Sequence, residues 1–309
     1  MHRFRPLLFG SLLLSAACVT QAATQCKVVD LMPAYWAALE QPDVSTALHA
    51  TVIDPHPDLY NANYVDLPAD ERWRQRLERE RTYAATHAAE IKAAERYLVD
   101  HVPQFMSEFA RQFDDYRCDF TFYIAPSFGM MDGSAASVHG EHRIIFAPDV
   151  IPRYHRLEDL KVLIDHETFH IYHHQATGYF GASEEATPSA LNALWTEGLA
   201  TFVSSRMNPA ASLDTVMLQP GIPTGAKPHL AEIAKDLATH LDEKDQATFK
   251  RYFVAGSQPD GYPPRTGYYI GMLVSQRLSK DHSLSELAHL PQDQARRLIA
   301  IELQRLATP

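Results

Sequence analysis

A mostly helical α+β fold, with a small antiparallel sheet ahead of one long buried helix, is predicted by three observations. Residues from about Leu157 to about Gln175 have apolar side chains on every side, the mark of a helix enclosed within a domain. Just upstream the apolar period shortens to two, with Phe120, Phe122 and Ile124 alternating with more polar residues. Most of the remaining chain reads as charged or amphipathic stretches of helical period.

The first 22 residues read as an address. Arg3 and Arg5 precede an apolar run, Leu7 to Ala17, too short to span a bilayer and followed by small residues. This is the pattern of a secretory signal peptide cleaved near Ala22, and it predicts an exported protein, periplasmic or secreted. Cys18 follows Ser15-Ala16-Ala17, similar to a bacterial lipoprotein processing site, but Ser15 stands where leucine is preferred. A lipid anchor at Cys18 is therefore the less favoured alternative. No later stretch is long and apolar enough for a membrane helix. Export makes Cys26 and Cys118 an even pair in an oxidising compartment, and a disulfide between them is expected.

Residues 23–116 read as a helical N-terminal region. Arg72, Arg74, Arg76, Glu78, Arg79, Glu80 and Arg81 make a solvated segment, and Pro103 predicts a helix break and restart. Residues 117–309 read as the functional region. Ser134 to Val138 and Arg143 to Ala147 are two short strands joined through His139-Gly140-Glu141. After the enclosed helix, a second is expected from a Thr187-Pro188 start to an Asn208-Pro209 end. Another begins near Pro264–Gly271, and amphipathic helices cover Leu230–Leu241 and Ser283–Leu306.

With 309 residues, 46% of them hydrophobic, the chain can build a sizeable core as one large domain or two packed lobes. Its formal charge of −10 argues against nucleic acid as a partner, and loss of Arg3 and Arg5 would make it more negative.

The chemistry is concentrated in the enclosed helix. His166-Glu167-Thr168-Phe169-His170 places two histidines four residues apart, hence on one helical face, with a glutamate beside them. Unpaired, these groups would be expensive in an apolar helix, and a metal supplies a reason for them. A catalytic zinc takes three protein ligands and leaves one position open. Glycine and a third histidine just downstream would mark the metzincin pattern, but those positions hold His173 and Ala176. The candidate third ligand is Glu197, flanked on its helical face by the small Ala190, Ala193, Ala200, Thr201 and Ser204, which permit close helix approach. His173 shares the histidine face one turn further on, which suits a supporting or substrate-lining role better than ligation. Tyr268 and Tyr269, with Arg265 behind them, are candidates for stabilising a developing oxyanion, and Gly267 and Gly271 allow close backbone approach there.

His166-Glu167-x-x-His170 followed by Glu197-Gly198-x-Ala200 resembles the gluzincin metallopeptidases, and is most similar to a bacterial family of predicted zinc-dependent proteases. The resemblance spans Phe120 to Leu278. It implies a thermolysin-like catalytic core, one zinc ion on His166, His170 and Glu197, and Glu167 as general base. It also implies a sheet edge beside the metal along which a peptide could lie. Thermolysin-like members carry an aspartate four residues after the third ligand; here that position is Thr201, so the partner of the zinc histidines is left open. The expected function is exported zinc peptidase, acting on peptides or proteins. The alternative is a non-catalytic exported zinc-binding protein acting in capture or chaperoning.

Overall fold

The computed structural model describes residues 26–60, 70–138, 141–178, 188–256 and 261–308. The proposed signal peptide, Cys18, His139, Gly140 and Thr187 lie outside them. Along the described chain run β1 (Lys27–Asp30), α1 (Met32–Leu39), α2 (Val44–Leu48), α3 (Asp70–Thr86), α4 (Ala88–Gln112), β2 (Thr121–Ile124), β3 (Gly133–Val138) and β4 (Glu141–Phe146). There follow α5 (Leu160–Thr177), α6 (Ala190–Met207), α7 (Leu213–Val216), α8 (Ile222–Ala226), α9 (Leu230–Thr239), α10 (Gln246–Phe253), α11 (Thr266–Leu278), α12 (Leu284–Ala288) and α13 (Gln292–Leu306). The fold is mostly helical with one four-stranded sheet, as an α+β class requires.

That sheet is mixed, which corrects the antiparallel expectation. Its order is β1-β2-β4-β3, with β1 parallel to β2, β2 parallel to β4, and β3 antiparallel to β4. β1 enters beside a strand far away in sequence, and the expected disulfide, Cys26–Cys118, joins the approaches to the two strands. β3 stands at the edge, next to α5.

α5 divides two cores, which explains its all-round hydrophobicity. Leu160, Leu163, Ile164 and Ile171 pack on the sheet side with Phe122, Ile144 and Phe146 and with Leu98, Val102 and Phe105 of α4. Val162, Phe169 and Tyr172 pack on the other side with Leu194 and Val203 of α6, Ile270 of α11 and Leu303 of α13. Burying a large apolar side chain stabilises by roughly 1.5–3 kcal/mol, so both sides hold α5 in place. Gly178, left-handed at φ 71°, ends it by donating its N–H to the His174 carbonyl at 2.7 Å.

Several sequence boundaries move. α4 runs unbroken through Pro103, because Leu98, Val102, Phe105, Met106 and Phe109 bury one continuous face and outweigh a proline cost of about 3 kcal/mol. The break falls at His87 instead. Glu80 is buried rather than solvated and pairs with Arg153. α6 begins at Ala190, with the Ser189 hydroxyl accepting from Asn192 N–H at 3.2 Å. The Ser283–Leu306 segment is two helices, separated at Leu290-Pro291.

Candidate metal site

α5 and α6 bring the three proposed ligands to one point. His166 and His170 are successive turns of one face, with their Nε2 atoms 3.1 Å apart and their rings nearly perpendicular at 87°. Glu197 Oε2 lies 3.3 Å from His166 Nε2 and 3.4 Å from His170 Nε2. Tetrahedral coordination at zinc–nitrogen and zinc–oxygen bond lengths of about 2.0–2.2 Å separates ligand atoms by about 3.3–3.6 Å. The measured triangle is close to that spacing, and two imidazoles with one carboxylate suit zinc better than the all-oxygen cages of calcium or magnesium. Among the described residues this is the one group of three His, Cys, Asp or Glu side chains arranged to hold a metal.

Glu197 is delivered by a tight helix crossing. The closest approach of α6 is to α11: a Cβ on Gly198 would fall 2.3 Å from Gly271 Cα, and one on Gly271 would fall 2.4 Å from the Leu194 carbonyl oxygen. The small residues that were expected to admit α5 therefore have their counterpart in a backbone contact with α11, and Gly198 fixes the residue beside it. Thr201 donates to the Glu197 carbonyl at 2.7 Å. This engages its hydroxyl with its own helix rather than with a ligating histidine. His166 Nδ1 is buried without a hydrogen-bond partner.

The protonation pattern follows from burial and charge. Burial pushes His166 down to about 4, against the favourable pull of Glu197. For His170 burial is outweighed by Glu197, and its pKa rises. Burial likewise opposes ionisation of Glu197, but the two histidines overcome it and hold the carboxyl well below its ordinary range.

Glu167 is positioned by the sheet edge. Gly133 of β3 abuts Leu163, where a Cβ would meet the leucine at 3.2 Å, and Ala135 supplies a backbone hydrogen bond to Glu167. Two strand residues advance about 6.6 Å and four helix residues about 6 Å, so β3 and α5 stay in step. Burial raises Glu167 to about 7, with His170 opposing and Glu197 and Asp132 assisting. That is the range in which a carboxylate exchanges protons near neutrality.

The tyrosines separate. Tyr268 lies over the site, its ring 6.2 Å from that of His166 and inclined by 17°, and the Arg265 guanidinium sits 4.0 Å from its ring centre. Tyr269 is buried within the helical core. His173 is buried, its ring 5.6 Å from that of Phe169 and 6.3 Å from that of Trp195. His174 instead meets His142 of β4, Nδ1 to Nε2 3.2 Å.

One neighbour escaped sequence reasoning. Asp132, just before β3, accepts from His155 Nε2 at 2.5 Å and from Gly133 N–H at 2.9 Å. Burial would raise it, but the His155 contact prevails and its pKa falls. The available signal was only Asp132-Gly133 before a short strand. Compared with family models, curated proteins and solved structures, the chain gives no match.

Proposed function

We propose that the protein is an exported zinc-dependent peptidase with a gluzincin-like catalytic core. The observation that carries the reading is the arrangement around Glu167: a buried carboxylate held by a strand N–H, beside three side chains converging at zinc-ligand spacing. His166, His170 and Glu197 would hold the ion. Zinc there would supply Lewis acidity, polarising a carbonyl and lowering the pKa of water toward neutrality. Glu167 takes a proton from the attacking water and carries it to the leaving amine. Tyr268, whose ring lies 6.2 Å from that of His166, would donate to the developing oxyanion. An extended peptide would lie along the β3 edge, as peptides do on exposed strands. The Cys26–Cys118 disulfide supports an oxidising location, and no helix among the described residues is long and apolar enough to cross a membrane.

Glu167→Gln tests this directly. It should retain zinc and lose hydrolysis of a peptide library by about 10²–10⁴-fold, the range for removing a general base. Wild-type protein that holds zinc but cleaves no peptide would instead favour a capture or chaperoning role.

A further inference from the structure

Arg265 occupies an unusual position for a cation. Its backbone is left-handed, φ 59° and ψ 26°, a conformation that costs a non-glycine residue roughly 1 kcal/mol or more. It is partly buried at the start of α11. Its polar side-chain neighbour is Tyr268, and among the described residues no carboxylate pairs with it. A guanidinium carries five N–H donors in a planar fork, whereas a phenol oxygen can accept only some of them. Glu197 and Asp132 are near enough to favour its charge, against the opposing effect of burial.

We infer that Arg265 is a receptor for a carboxylate of the substrate, so that the site takes peptides carrying a free C-terminal carboxylate or an acidic side chain close to the scissile bond. The inference rests on the peptidase reading for its substrate class. Three features support it. Arg265 and His166 share the Tyr268 ring as a neighbour, at 4.0 Å and 6.2 Å from its centre, which puts an anion on the guanidinium within about three residues of the reacting carbonyl, at about 3.3–3.6 Å per extended residue. The guanidinium matches a carboxylate in a bidentate fork. The strained backbone holds the side chain over Tyr268 while the Arg265 carbonyl accepts Tyr268 N–H at 3.1 Å. That backbone contact does not depend on the side chain, so substitution should leave α11 intact.

The test uses zinc-loaded Glu167→Gln protein, which binds without turning over. Fluorescence anisotropy would compare a labelled penta-alanine peptide as its free acid, as its C-terminal amide, and as an amide with aspartate in the last position. The free acid should bind about 10- to 100-fold more tightly than the amide, as loss of a charged hydrogen-bonding partner implies. In a protein also carrying Arg265→Gln the preference should vanish, and Arg265→Lys should restore only part of it. Equal zinc content and melting temperature establish that the variants are folded. Tight binding of the aspartyl amide identifies a side-chain carboxylate as the source; preference for the free acid alone identifies the C-terminus. Equal affinity for acid and amide, no binding of the acid, or a preference surviving Arg265→Gln would overturn the inference. Carboxylate-selective binding by a wild type that hydrolyses nothing would refute the peptidase reading and leave the receptor standing.

Discussion

Two buried charge clusters in this molecule are built on opposite principles. On the sheet side, Asp149 accepts the N–H groups of Ser127 at 2.9 Å and Gly129 at 3.2 Å, while Glu80 pairs with Arg153. The guanidinium of Arg153 also sits 3.8 Å from the centre of the Tyr83 ring. These groups tie the loop before β3, which includes left-handed Phe128 and Gly129, to α3. Between α5 and α6, by contrast, His166, His170 and Glu197 bring one ligand atom each to within 4.8 Å of one another. In the first cluster the carboxylates satisfy the chain's own backbone and cations. In the second, two imidazoles and a carboxylate converge on one point in an arrangement that could hold a metal ion. Buried charge is thus informative by where its acceptors point.

The contrast can be broken from the structural side first. Arg153→Met would leave Glu80 buried without its cation, and should destabilise the fold by about 3 kcal/mol in urea unfolding. Zinc content of the folded fraction should stay unchanged. Loss of zinc in a folded variant would mean that the clusters are not independent.

Gly198→Ala addresses the functional side. The added methyl would fall 2.3 Å from the Gly271 backbone, so α6 must shift, at about 1–3 kcal/mol for an overpacked contact. Because Glu197 is its neighbour, zinc affinity measured by chelator competition should fall with stability. Unchanged affinity would show that Glu197 does not depend on this crossing.

A smaller effect is expected from pH. Burial, partly offset by the two backbone N–H groups, raises Asp149 to about 6. Its folded pKa exceeds its unfolded value, so its contribution is fully present below about pH 4 and is lost as pH rises through about 6. Between pH 5 and 7.5 the change in stability caused by Asp149→Asn should move in favour of asparagine by about 1–2 kcal/mol. An unchanged difference between the two proteins across that range would contradict a raised Asp149.

Much of this arrangement was legible in the chain. The spacing of His166 and His170 fixes one helical face, and apolar residues around that face announce a helix between two cores. Glu197 stood out because Leu194, Trp195, Leu199 and Phe202 leave an ordinary solvated glutamate no place. β1 was not legible: four residues, Lys27–Asp30, carry too little pattern, and their partner strand lies beyond α4. Tyr268 and Tyr269 could not be separated by sequence, since adjacent residues at a helix start differ only in which way each faces. Asp132 and His155 belong to loops, where no period marks a pairing. Pro103 misled because local propensity yielded to tertiary packing.

The most direct measurement is metal content by mass spectrometry on purified protein prepared without chelators, beside His170→Ala and Glu197→Ala. The account predicts about one zinc per wild-type chain, as a single three-ligand site requires, sharply reduced in both folded variants. A folded wild type that neither carries zinc nor takes it up would contradict it.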